Sequence, residues 1–163
     1  MKTLFLLRHA KSDWDAEFGT DFERPLNKRG QRAAGAMGEF LGHADRLPEL
    51  ILCSSAVRTK KTLQRATKIG GWDCEVEYLD ELYTGNPRHV LRVIRQVSKR
   101  VDSLMVVGHE TAMSETTSLI IGNANVRFPT AAVACMELEI RRWKDLEPGL
   151  GRLLFLVPPR LLG

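Results

Sequence analysis

The apolar run Leu4-Phe5-Leu6-Leu7 stops abruptly at Arg8-His9-Ala10. A guanidinium beside an imidazole at the end of an apolar strand is costly to build for packing alone, and the arrangement recurs. Leu104-Met105-Val106-Val107 runs into Gly108-His109, and Leu50-Ile51-Leu52-Cys53 runs into Ser54-Ser55 with Arg58 just beyond. Arginine forks grip phosphate oxygens bidentately and stay charged at any working pH. A neutral imidazole is a nucleophile toward phosphorus. Arginines near His9 disfavour its imidazolium, which keeps a lone pair available at neutral pH. Three strand ends that each deliver a cation or an imidazole are what a phosphate-handling site needs.

For these residues to meet, their strands must end at one edge of a common sheet. The pattern predicts strands over 3–8, 50–54, 74–79 and 103–107. Helices are predicted between and after them, over 28–42, 56–69, from Asn86-Pro87 onward, and over 111–121. The first helix carries Ala33, Ala34, Met37, Phe40 and Leu41 at helical spacing, with Asn27 as its N-cap and Gly42 as its stop. Asn86-Pro87 reads as an N-cap followed by proline at the first helical position. Two further strands are expected over 132–140 and 152–157, paired as an antiparallel hairpin at the sheet edge around Leu146-Glu147-Pro148-Gly149. Alternating strands and helices predict an α/β chain with a central, mostly parallel sheet, an antiparallel edge and helices on both faces, in three layers. Residues 12–27 are the least regular stretch. They follow the first strand, where open α/β sheets place functional loops.

With 163 residues, 44% of them hydrophobic, the chain is expected to form one domain over 1–163 with a sizeable core. No apolar stretch approaches the ~20 residues of a membrane span, and the N-terminus reads as a strand rather than a signal peptide. A cytoplasmic location is expected. The net charge of +4 suits an anionic partner. The basic residues are scattered, however, as in Lys28-Arg29, Lys60-Lys61 and Arg141-Arg142, with no nucleic-acid-type tail or aromatic-interleaved strand. Cys53, Cys74 and Cys135 lack metal-type spacing and read as small apolar residues in a reducing compartment. No HxH or HExxH pair is present, and cations near the histidines would repel a divalent metal, so neither metal nor cofactor is expected.

Taken together, Leu-Leu-Arg8-His9-Ala10, Arg24-Pro25-Leu26-Asn27 with Gly30, Ser54-Ser55 leading to Arg58 and Thr62, and Val107-Gly108-His109-Glu110 resemble the histidine phosphatase superfamily, which includes the phosphoglycerate mutase-like enzymes. The resemblance runs along essentially the whole chain, and it is greatest to the short branch typified by the phosphohistidine phosphatase SixA. It implies a phosphoglycerate mutase-like fold and a metal-independent phosphatase. His9 is then the transiently phosphorylated nucleophile, and Arg8, Arg58 and His109 surround the phosphoryl group. Arg24 matches an arginine of that branch which also faces the phosphate. Glu81, in Leu79-Asp80-Glu81-Leu82-Tyr83, matches a Glu-Leu motif and is the candidate general acid; Asp13 and Asp15, in the loop after His9, are its rivals.

The short chain has little room for an inserted lid. An open pocket admits a phosphorylated side chain of another protein, and lets water reach the phosphoenzyme. The expected substrate is therefore phosphohistidine on a phosphotransfer protein, with small phosphate esters as the alternative, and a monomer is favoured. Two other readings carry less. Cys53 to Arg58 is C-x4-R, one residue short of the C-x5-R loop of the protein tyrosine phosphatases. A non-enzymatic phosphoprotein sensor on the same fold would not need the full set of site residues.

Overall fold

The computed structural model describes residues 1–84 and 86–163. Its six strands are β1 (Lys2–Arg8), β2 (Leu50–Ser54), β3 (Glu75–Leu79), β4 (Ser103–Gly108), β5 (Val133–Leu138) and β6 (Gly151–Val157). They form one sheet in the order β3-β2-β4-β1-β5-β6. β3, β2, β4 and β1 run parallel, whereas β5 runs antiparallel to β1 and β6 antiparallel to β5. The expected hairpin is thus the antiparallel edge of a mixed sheet.

The helices are α1 (Lys28–His43), α2 (Val57–Gly70), α3 (Pro87–Arg95) and α4 (Ala112–Ile120). The chain steps from β1 to β2 to β3 toward one edge, then turns back to β4. Right-handed crossovers therefore put α1 and α2 on one face and α3 on the other. The strand alternation matches. Phe5, Leu7, Ile51, Cys53, Met105 and Val107 pack with Met37, Leu41 and Leu63 of α1 and α2. Leu4, Leu6, Leu52 and Val106 pack with Val90, Ile94, Met113 and Trp143 on the opposite face. The parallel strands are apolar on both faces because helices cover both.

Each helix start that was expected from an asparagine cap is made by one. Asn27 accepts from the Gly30 N–H at 2.7 Å, and Asn86 from the Arg88 N–H at 2.8 Å, ahead of Pro87. Gly42, expected to stop α1, lies within it. Its missing side chain serves packing instead, since a Cβ there would fall 2.6 Å from the Gly70 carbonyl oxygen. The glycine lets α1 and α2 approach backbone to backbone.

Candidate active site

The register of the parallel strands decides which residues meet. Arg8 lies opposite Gly108, and Cys53 opposite Val107. The next residues, His9, His109 and Ser54, therefore leave the sheet side by side at its carboxyl edge. His109 stands in the middle because β4 lies between β2 and β1. The His9 and His109 rings are 5.3 Å apart between centroids and tilted by 54°.

His9 is 8% exposed. Its Nδ1 lies 2.7 Å from the Ala10 carbonyl oxygen. A carbonyl can only accept, so Nδ1 carries the proton and Nε2 is left with the lone pair. The Ala10 peptide is itself held, because its N–H donates to Thr62 Oγ1 at 2.9 Å and that hydroxyl donates to the Arg58 carbonyl at 2.7 Å. Gly30 matters to the same loop. A Cβ on it would come within 2.1 Å of the Lys11 carbonyl oxygen, so only glycine lets α1 start against the backbone that follows His9. Burial is the main influence on the imidazole. It outweighs the Ala10 hydrogen bond and, with Arg58, Arg8 and Arg24 nearby, brings the pKa down to about 4. His9 is neutral at pH 7.

His109 is 5% exposed, and its Nε2 lies 2.8 Å from Ser54 Oγ. Burial first, then His9 and Arg58, lower its pKa to about 3. It too is neutral at pH 7.

Three arginines reach the same edge. Arg58, in the first turn of α2, is buried; its Nη1 donates to the Asp21 carbonyl at 2.8 Å and its Nη2 to Asp21 Oδ2 at 3.1 Å. Arg24 is buried as well. Its Nε donates to Ser12 Oγ at 3.0 Å, its Nη1 bonds Asp21 Oδ1, and the Trp14 ring lies over the guanidinium at 3.6 Å. Arg8 donates from Nη1 to the Phe128 carbonyl at 2.9 Å. The Nε atoms of Arg8 and Arg58 and Nδ1 of His109 are buried and have no partner among the described residues. Two neutral imidazoles and three guanidiniums at one rim can hold a phosphoryl group and present a nucleophilic nitrogen to it.

A family model, the histidine phosphatase superfamily (branch 1), matches residues 4–86. The chain belongs to the histidine phosphatase superfamily. Rv1276c, an uncharacterized protein of Mycobacterium tuberculosis (strain H37Rv), is 32% identical over 164 residues, spanning 94% of this chain and 100% of that protein. Among solved structures, a protein assigned as the phosphohistidine phosphatase SixA of Agrobacterium tumefaciens is 28% identical. It superposes with a TM-score of 0.83 over 97% of this chain and 98% of that one. The protein histidine phosphatase SixA complexed with tungstate shares the fold, with 23% identity and a TM-score of 0.84 over 99% of each chain.

The remaining candidates of this histidine phosphatase chain make other contacts. Glu81 pairs with Arg92 at 2.8 Å, and among the described residues no hydrogen bond or ion pair links it to the two histidines or the three arginines. Asp13 accepts from the Asp15 N–H at 3.0 Å within the loop after His9. Cys53 is fully buried, and burial pushes its thiol up to about 12, so it remains a protonated packing group. Among the described residues no group of three His, Cys, Asp or Glu side chains is placed to hold a metal, and no helix is long and apolar enough to cross a membrane.

Sequence reasoning missed two members of the cluster. The Asp21 carboxylate lies between Arg24 and Arg58. Tyr83 donates its hydroxyl proton to Asp21 Oδ2 at 2.6 Å, and its ring packs edge-on to His109 at 5.5 Å. The only sequence signal for Asp21 was its position three residues before Arg24, in the short 3-10 turn Asp21–Glu23.

Proposed function

We propose that this chain is a metal-independent phosphatase that works through phosphohistidine on His9, and that its substrate is phosphohistidine on a phosphotransfer protein. The observation that carries the reaction is the hydrogen bond from His9 Nδ1 to the Ala10 carbonyl, which leaves Nε2 unprotonated beside three arginines.

In the first step Nε2 attacks phosphorus. The P–Nε2 bond forms as the bond to the leaving imidazole nitrogen breaks, and the leaving imidazole takes its proton from solvent water at the open site. Arg8, Arg24 and Arg58 donate to the equatorial oxygens and stabilise the charge spread over them. His109, neutral and hydrogen-bonded to Ser54, stands beside the nucleophile at the same rim. In the second step water attacks phosphorus, inorganic phosphate leaves and the Nε2 lone pair is restored. Glu81 acts as the acid only for leaving groups poorer than imidazole, and to do so it must leave Arg92.

The surroundings favour a protein substrate. Beside the site is an open depression of about 420 Å³ whose wall includes Lys11, Arg29, Arg32, Arg127 and Arg160. Arg127 and Pro129 continue it into a second hollow of about 480 Å³ that reaches Arg8. All five cations are exposed, and none is ion-paired among the described residues. Exposed cations around a site steer an acidic partner into place more than they add affinity.

The test is phosphate release from a phosphohistidine-bearing phosphotransfer domain in the presence of chelator, with wild type beside His9→Ala. Release by wild type alone supports the reading. Turnover confined to small phosphate esters keeps the chemistry and moves the substrate to that class.

A further inference from the structure

The phosphate cradle already contains an anion that belongs to the chain. Asp21 sits in the loop between β1 and α1, in a 3-10 turn that brings its carboxylate back toward Arg24. Oδ1 is bonded by Arg24 Nη1. Oδ2 accepts from Arg58 Nη2 at 3.1 Å and from the Tyr83 hydroxyl at 2.6 Å, while the Asp21 backbone carbonyl takes Arg58 Nη1 at 2.8 Å. Both Nη groups of Arg58 thus end on this one residue.

The two sides of the contact differ in exposure. The Arg24 and Arg58 side chains are 6% and 8% exposed, whereas that of Asp21 is 49% exposed. The cations are fixed in the protein. Arg24 is clamped between Ser12 and the Trp14 ring, and Arg58 is rooted in α2. The carboxylate lies on their more exposed side.

We propose that Asp21 is a specificity-determining residue, a resident anion that a phosphoryl dianion displaces from Arg24 and Arg58 and that a monoanion does not. The inference rests on the reading of this cluster as the phosphoryl site. A monoanion exchanges one negative charge for another at the same two cations. It does so from dilute solution against a tethered competitor with a high effective concentration. A dianion brings twice the charge, and its Coulomb attraction to the guanidiniums is correspondingly larger. The Tyr83 hydrogen bond first, then Arg58 and Arg24, hold the carboxyl well below the usual range, at about 2, so the resident anion stays charged at every working pH. The arrangement selects monoester and phosphoramidate dianions over diesters and carboxylates before any chemistry begins.

The experiment is equilibrium binding at pH 8 of two tetrahedral probes, inorganic phosphate as the dianion and dimethyl phosphate as an obligate monoanion. Wild type is expected to bind the first and reject the second. Asp21→Asn, which keeps the shape and removes the charge, is expected to bind phosphate about tenfold more tightly and to gain binding of dimethyl phosphate. Tyr83→Phe removes one of the carboxylate's holds and is expected to move phosphate affinity in the same direction by a smaller factor. Phosphate binding that is unchanged or weaker in both variants, with dimethyl phosphate still rejected, overturns the proposal and leaves Asp21 as a scaffold for the arginines. Arg58→Ala separates the two levels of the argument. Loss of phosphate binding in that variant places the anion on these arginines. Retained binding overturns the phosphoryl-site reading and the Asp21 proposal with it.

Discussion

His9 and His109 face one another across 5.3 Å at the ends of adjacent parallel strands, and burial holds both neutral. Among the described residues, neither ring has a carboxylate hydrogen-bond partner. The Nδ1 of one is satisfied by a backbone carbonyl and the Nε2 of the other by Ser54. A pair of buried neutral imidazoles keeps nitrogen lone pairs available at pH 7 and tolerates acid poorly.

That pair fixes a pH dependence of stability. In the unfolded chain each histidine takes a proton near pH 6.5, but in the folded chain only near about 4 for His9 and about 3 for His109. Below pH 6.5 the unfolded state therefore binds more protons, and stability falls as pH drops from 6.5 toward 4 before levelling off below 3. Asp21 acts in a lower window. Its depressed pKa of about 2 stabilises the fold above the ordinary carboxylate value, and that contribution is lost as pH falls through 2. Urea midpoints measured from pH 7 to 4 are expected to fall in wild type and to be flatter in a His9→Gln/His109→Gln variant. Equal slopes would contradict the buried neutral pair.

Arg58 is expected to carry much of the transition-state charge. Arg58→Ala should lower kcat/KM on an aryl phosphate by about 10²–10³, the usual effect of removing one preorganised donor. Arg58→Lys should recover little of it, because an ammonium lacks the planar fork. Steady-state kinetics with a thermal melt of each variant check this. A folded Arg58→Ala protein within about threefold of wild type would remove Arg58 from the phosphoryl site.

The strand ends were legible because charge interrupts apolar runs there. Arg8-His9, Ser54 and Gly108-His109 each close a run that a doubly covered strand requires. Parallel register then brings them together without further information. Asp21 was not legible, because its partners Arg58 and Tyr83 lie 37 and 62 residues away and no local period connects them. Glu81 shows the converse case. Its motif could be read, yet its ion-pair partner, Arg92, comes from one turn and a half along α3. Gly42 misled for a related reason, since a glycine that serves helix–helix approach reads locally as a helix stop.

Glu81 gives a substrate-dependent prediction. Glu81→Gln is expected to change release from phosphohistidine by less than about threefold, since the leaving imidazole needs little acid assistance. It should slow turnover of an alkyl phosphate by about 10²-fold, within the range of general acid catalysis. Parallel assays of the two substrates check this. Equal losses on both would make Glu81 part of the common machinery.

The cationic rim predicts selective loss of the protein substrate. Charge reversal at Arg32 and Arg160, as R32E/R160E, is expected to lower kcat/KM for a phosphohistidine-bearing domain about tenfold at low salt. The deficit should shrink as salt rises, because screening reaches ~10 Å at 0.1 M ionic strength. Activity on a small phosphate ester should not change. An equal loss on the ester, or no salt dependence, would argue against docking through this rim.

The most direct measurement is to quench the wild-type enzyme during turnover of a ³²P-labelled substrate and map the label. Acid-labile, alkali-stable phosphate is expected on His9 and is expected to be absent from His9→Gln. Label on a serine or cysteine, or undiminished turnover by His9→Gln, would contradict it.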